Sequence, residues 1–237
     1  MRNHNVQHIK RRLSRFKILV VTCGKNLLSC RKIWIDSKDV KYKFRRDPWY
    51  SSAMWTTIYS TWPDDKAYVP FSQTPKGLAC MQHWVHNISW SDTGIYNLLL
   101  ASINRRSEAV DGCLSMADIE IRYQSLDNLF DTVSRERRFR FSRYNQLFPP
   151  LNPRTNTDIV IHIGPKGEIY HGHEGNHRLA IAAILGVPIK VTVGCVHRSA
   201  YPYLKRYLYH SYLYTIQDIR QLVHNFLKYK IKCLFRS

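Results

Sequence analysis

The stretch YHGHEGNHRLAIAAILGVPIKVTV, residues 170–193, decides the fold because its hydrophobic period changes along it from that of a strand to that of a helix and back. Just ahead, DIVIHI (residues 158–163) alternates apolar and polar side chains, GPKG makes a turn, and EIYHGH (residues 168–173) alternates again, which predicts a β-hairpin. HEGNHRLAIAAILGV then places Leu179, Ile181, Ala182, Ile184 and Leu185 in an Ala-rich helix beginning around residues 176–178. Gly186 supplies its C-terminal stop, and Pro188 lies beyond. IKVTV follows as a strand. Strand, turn, strand, helix and strand in so short a span predict an α/β unit of the α+β kind, a small mixed sheet packed with helices.

The junction at residues 174–178 suits an anion. First-turn peptide N–H groups have no partners inside a helix, and the helix dipole makes that end positive. Gly175 carries no side chain to hold a ligand off the backbone, His177 and Arg178 add donors, and Arg178 can grip a phosphate through two nitrogens. Gly175, Asn176, His177 and Arg178 are thus a candidate phosphate loop. Glu174 is the odd member: beside a phosphate it needs a metal ion, a proton to take from a hydroxyl, or an ion pair with Arg178. Glu174 and His177 are the candidate catalytic groups, Glu174 the candidate metal ligand, and His173, His197 and Arg198 secondary candidates. A purely structural reading stands beside this one. In it Glu174 or Asn176 caps the helix, Arg178 bridges to a carboxylate on an earlier helix, and His162 and His173 are exposed strand residues.

At 237 residues and 44% hydrophobic composition, the chain can bury a core without disulfide or metal staples. Its formal charge of +19 sits at the ends. Residues 1–46 hold 14 Lys/Arg against 2 Asp/Glu, a net of +12, and residues 198–237 hold 8 against 1, a net of +7. The middle carries 14 of each and sums to zero. Such ends attract nucleic acid, an anionic membrane surface or an acidic partner, or merely solubilise the chain. The six cysteines are scattered with no C-x-x-C pair, which argues against zinc and fits buried, reduced thiols of a cytoplasmic protein. No window approaches the length of a transmembrane helix, and the apolar run at residues 18–21 is too short for a secretory signal.

Four regions follow: a basic arm (1–31), an aromatic-rich and helical N-terminal half (32–150), the hairpin-helix-strand core (151–200) and a basic, Tyr-rich extension (201–237). KIWIDSKDVKYKF predicts a strand and a helical turn capped by Asp36 or Ser37. The Trp- and Pro-rich segment after it has neither period and is expected to be irregular, packed by its own rings. Three amphipathic helices come next. The first has Leu78, Met81, Trp84, Val85 and Ile88 on its apolar face, and the second has Ser91 or Asp92 as cap with Ile95, Leu98, Leu99 and Ile103 inward. The third is capped by Ser115 and Asp118, with a stripe of Ile119, Tyr123, Leu126, Leu129, Phe130 and Val133. In the extension, YPYLKRYLYHSYLY reads as a Tyr-rich turn before a helix over residues 215–229. Its Tyr, Lys and Arg either pack on the domain or stack nucleic-acid bases over cationic contacts.

EGNHRLAIAAILGVPIKVTV resembles the box of the ParB/sulfiredoxin superfamily, in which a strand leads into G-x-H/R-R, an Ala-rich helix, a Leu-Gly stop and an IPV strand. DIEIRYQSLDNLF, SWSDTGIY and Val196-His197 extend that likeness to a group of ParB-like prokaryotic proteins with a DG-x-HRL-IA signature, over residues 33–200. The resemblance implies a ParB/sulfiredoxin-like fold and a loop that binds the phosphates of a nucleotide or phosphorylated small molecule. It also implies Mg2+ carried with the nucleotide, and nucleotide hydrolysis or phosphoryl transfer as the activity. Sulfiredoxins have a catalytic cysteine where this chain has Asn176, so their sulfur chemistry is excluded. Partition proteins follow the box with a DNA-reading helix-turn-helix, whereas one convincing helix follows it here. The competing expectation is a non-catalytic, nucleic-acid-binding accessory protein that uses its basic ends.

Overall fold

The computed structural model describes residues 32–46, 57–58, 61–139, 159–172 and 174–200, and then 202–204, 206–207, 209 and 211–216. Strand β1 (Lys32–Asp36) passes through a 3-10 turn (Ser37–Asp39) into β2 (Val40–Phe44). Asp36 caps that turn, accepting from the Lys38 N–H at 3.0 Å, as expected; β2 is an addition to the sequence reading. β3 (Thr57–Ile58) and β4 (Tyr68–Pro70) precede three helices, α1 (Pro75–Trp84), α2 (Ile95–Arg106) and α3 (Met116–Glu136). The hairpin of β5 (Val160–Ile163) and β6 (Ile169–His171), helix α4 (Asn176–Leu185) and strand β7 (Pro188–His197) complete the core.

These strands form one mixed sheet in the order β1-β7-β5-β6-β2-β4, with β3 added beside the end of β7. β5 runs parallel to β7 and β2 parallel to β6, while β1–β7, β5–β6 and β2–β4 are antiparallel. The hairpin is shorter at both ends than its alternation suggests; Asp158 and His173 lie outside the described residues. Gly167, at φ +80°, closes its turn.

One face of the sheet offers Ile33, Ile35, Ile161, Ile163, Ile169, Ile189, Val191 and Val193 to Leu179, Ile181 and Ala182 of α4. Each fully buried Ile or Leu stabilises the fold by about 1.5–3 kcal/mol. α4 is covered in turn by α1 and α3, so its apolar character all round follows from burial. Alternate strand positions project the other way, where Tyr42, Phe44, Trp62, Tyr68 and Tyr170 make a continuous ring cluster. This cluster corrects one expectation. His162 is not an exposed strand residue but fully buried, packed edge-on to Phe44, with its Nδ1 accepting from the Cys195 N–H at 3.0 Å. A one-sided sheet would have left it in water; here both faces are covered.

Two of the three helices depart from their predicted faces. α1 is capped by Thr74 but buries Gly77, Ala79 and Cys80, leaving Leu78 and Val85 about half exposed. A Cβ at residue 77 would stand 2.3 Å from the Phe71 carbonyl oxygen, so the approach is too close for larger side chains. α2 starts from Gly94 at φ +76°, not from Ser91 or Asp92, which instead build the turn ahead of it with Ser89; Leu98 faces out. Ser115 and Asp118 cap α3 as expected, and the structure joins them in a reciprocal capping box; the predicted stripe is the one that packs. Past β7, every described position from 202 to 216 is helical, including the stretch read as a turn; residues 217–229 lie outside the description. No described helix is long and apolar enough to cross a membrane. The described cysteines Cys80, Cys113 and Cys195 are buried free thiols.

Candidate functional site

The N-terminal end of α4 is built by a loop that cannot be altered without cost. Gly175 sits at φ +73° as the N-cap, and a Cβ there would lie 2.4 Å from Ile159 Cγ1 and 3.4 Å from Arg178 Nη2. Packing on Ile159 thus gives glycine its reason at this position, ahead of any ligand. The His171 Nε2 donates to the Glu174 carbonyl at 2.6 Å and pins the loop to β6. Among the described residues no side chain caps the helix, and the first bond within it runs from the Leu179 N–H to the Gly175 carbonyl at 3.0 Å. The three peptide donors before Leu179 therefore lack helical partners and point out of the helix end.

Three cations from three other elements meet there. Lys43 of β2 reaches across from beside His171, its Nζ 2.5 Å from the Asn176 Oδ1. Lys76 stands in the first turn of α1, where a positive charge opposes the helix dipole, and is paired with Asp111. Arg122 extends from α3; among the described residues its buried Nε finds no hydrogen-bond partner. Asp111 is presented by a two-residue turn in which Val110 and Cys113 exchange both backbone hydrogen bonds at 3.0 Å, with Asp111 at φ +55° and Gly112 at φ +84°. Positive φ at both central residues is the geometry that an Asp-Gly pair favours.

The charges perturb one another. Burial, then the Lys76 charge, pushes the Lys43 amine down to about 8, against the opposing pull of Asp111 and Glu174. Burial alone would raise the Asp111 carboxyl, but the Lys76 amine and the Arg122 guanidinium hold it below the usual carboxylate range. His177 lies beneath this cluster, 6% exposed, its Nε2 3.3 Å from the hydroxyl of the fully buried Tyr123. Burial first, then Lys76, Arg122 and Lys43, push its imidazole far below the ordinary histidine range, so the ring is neutral.

The sequence-derived candidates divide. Glu174, Gly175, Asn176 and Arg178 stand at the helix end with Lys43. His177 contributes its peptide N–H there, while its ring belongs to the core. His197 is elsewhere, edge-on to Trp62 in the aromatic cluster, and Arg198 is exposed in the 3-10 turn after β7. His173 lies outside the described residues. Of the upstream acids, Asp127 is a structural anchor, accepting from Trp84 Nε1 at 3.0 Å, Trp90 Nε1 at 3.1 Å and His83 Nε2 at 3.1 Å. Glu168 accepts from the Lys166 N–H in the hairpin turn.

Lys43, Lys76, Asp111 and Arg122 escaped sequence reasoning, and Tyr123 enters it only as part of an apolar helix stripe. Two left traces: the Asp-Gly pair at 111–112, which marks a tight turn, and a lysine in the first turn of a helix with no acidic residue there. Among the described residues no group of three or more His, Cys, Asp or Glu side chains is arranged to hold a metal ion. No protein-family model matches the chain, and none of the curated proteins or solved structures compared with it matches.

Proposed function

We propose that this chain binds a phosphate-bearing ligand, a nucleotide in the first instance, at the N-terminal end of α4. The observation that carries the reading is the convergence of Lys43, Lys76 and Arg122 on a helix terminus whose N-cap, Gly175, offers no capping side chain. Backbone donors with fixed directions and cations from separate elements recognise phosphate together. The unmatched Arg122 Nε is a donor that an incoming oxygen would satisfy. The likeness of residues 174–193 to the ParB/sulfiredoxin box is consistent with it, and that family assignment is part of the proposal.

Turnover, by hydrolysis or phosphoryl transfer, would draw chiefly on positioning and charge neutralisation. Glu174 and Asp111 are the carboxylates near the cations and the groups suited to accept a proton from a nucleophile; the buried His177 ring holds the floor of the site. Mg2+ would arrive on the nucleotide phosphates, where Glu174 would help hold it and the ion would neutralise phosphate charge, since magnesium is commonly held by one or two carboxylates plus substrate. Calorimetric titration with ATP, CTP, GTP and ADP, with and without magnesium, beside Arg122→Ala and Arg178→Ala variants, tests the reading. Micromolar to sub-millimolar binding that weakens at least tenfold in Arg122→Ala is expected; no binding at millimolar nucleotide by the parent chain overturns it.

A further inference from the structure

The helical positions between 202 and 216 have two unlike sides. Inward, Leu204 is buried, the Tyr207 hydroxyl donates to the Gly167 carbonyl at 2.5 Å, Ser211 Oγ accepts from the Trp34 N–H at 3.0 Å, and Tyr214 packs on Trp34. Outward, Tyr209 and Tyr212 are each 62% exposed, and Tyr203 and Leu213 are 49% and 40% exposed. The Arg206 side chain is 67% exposed and makes a long ion pair with Asp39 at 3.9 Å. Arg206, Tyr209, Tyr212 and Leu213 recur at three- and four-residue spacing, so they share the outer face. A rise of about 1.5 Å per residue sets Tyr209 and Tyr212 roughly 4.5 Å apart along the axis, on successive turns.

Inward contacts anchor this helix through Leu204, Tyr207, Ser211 and Tyr214, while Tyr209 and Tyr212 stay largely exposed to solvent. They stand in a segment, residues 198–237, that carries a net +7, with Arg206 on the same face. Exposed π-faces one turn apart beside cations complement a polyanion whose planar groups are free to stack. We propose that the outer face formed by Arg206, Tyr209, Tyr212 and Leu213 binds single-stranded nucleic acid, its bases stacking on Tyr209 and Tyr212 and its phosphates drawn to Arg206. A duplex keeps its base faces internal and offers the tyrosines nothing. A membrane-docking helix needs an apolar face that inserts, and among the described residues this face shows one leucine, Leu213, among phenols. The site lies on residues other than those of the α4 terminus and does not depend on that reading.

Fluorescence anisotropy with the full chain decides it, using a labelled oligo-uridylate, an oligo-thymidylate and a duplex of equal length. Single strands are expected to bind at least tenfold tighter than the duplex, and Tyr209→Ala with Tyr212→Ala to remove about tenfold of that affinity or more. The paired Tyr→Phe changes keep the rings and are expected to keep the binding. Arg206→Gln is expected to lower the salt slope by about 0.7, the share of one phosphate contact on a single strand. Equal affinity for duplex, or indifference to the alanine changes, overturns the proposal in favour of undirected attraction by the basic ends. Sedimentation with phosphatidylserine vesicles that is lost in the alanine variant, without single-strand affinity, overturns it in favour of a membrane surface.

Discussion

The Lys43 Nζ lies 2.5 Å from the Asn176 Oδ1, joining strand β2, next to the edge of the sheet, to the first residue of α4. An amine whose proton is destabilised by burial and by Lys76 is held against an amide oxygen, which leaves its positive charge uncompensated by that contact. An anion at the helix end would complete what Asn176 does not.

Phosphate affinity should therefore fall as pH rises through about 8, the point to which Lys43 is depressed. The sign follows from the proton: below that pH the amine is charged and attracts the anion, above it the attraction is lost. A phosphate monoester has passed its own second ionisation near pH 6, so the change belongs to the protein. Calorimetry between about pH 7 and pH 9 should show roughly a tenfold loss, on the scale of tenfold per unit of pKa. Lys43→Arg, always charged, should flatten the profile. A parent profile already flat would show that Lys43 does not face the ligand.

Stability and binding should move in opposite directions in Lys43→Met. The folded state holds this lysine less readily protonated than the unfolded chain does, so near neutral pH its charge is a burden on the empty fold. A methionine of similar length removes the burden and the ligand contact together. Thermal unfolding without ligand should be unchanged or higher, while phosphate affinity drops about tenfold or more. A large fall in Tm would mean that the Asn176 contact outweighs the desolvation of the amine.

The box that marks this site was legible in the sequence, but its electrostatic surroundings were not. Residues 176–185 announce a helix by their apolar run and by Gly186, and the structure follows them. Lys43, Lys76, Asp111 and Arg122 are ordinary charged residues scattered between positions 43 and 122, all upstream of that box, and no local period ties them to it. They meet because β2 pairs with β6 in parallel and because α1 and α3 pack on α4, relationships set by the long-range order of the sheet. α1 misled for a related reason: a helix pressed against its neighbours buries its small residues, and hydrophobicity then points to the wrong side.

Asp111→Asn should tighten phosphate binding. The Asp111 carboxylate is engaged with Lys76 and held ionised by Lys76 and Arg122, so it competes with an incoming anion for both. Removing one negative charge should raise the affinity for inorganic phosphate about three- to tenfold. Without ligand the variant should unfold about 1–2 kcal/mol more easily, because a half-buried cation loses its partner. If nucleotide turnover exists, its disappearance in a variant that binds more tightly would assign Asp111 the proton-accepting role in place of Glu174.

Gly175→Ala should damage the fold and, through it, the site. The added methyl meets Ile159 Cγ1 at 2.4 Å, and φ +73° strains any side chain. Overpacking and the left-handed backbone together should cost about 2–4 kcal/mol, read as a lower midpoint in urea at unchanged slope. Adding Ile159→Ala opens room for the methyl but leaves the backbone strain. The double variant should recover part of the loss relative to the sum of the two single changes, and a strictly additive pair would show that Ile159 is not what excludes a side chain at 175.

Asp127 makes the sharpest test of the helical layer because three donors depend on one carboxylate. Trp84, Trp90 and His83 all point at it, and the rings that carry them are themselves packed, His83 on Trp90 at 4.0 Å between centroids and Trp84 on Phe130 at 4.7 Å. Asp127→Ala strands those donors and should cost about 2–4 kcal/mol. Asp127→Asn retains one acceptor oxygen and should cost less than half as much, since Oδ1 receives from all three donors. Phosphate affinity at saturating folded fraction should survive both changes, because Asp127 braces α1 against α3 without reaching the cluster at the end of α4. A selective loss of phosphate binding in a folded Asp127→Asn protein would instead draw that carboxylate into the site.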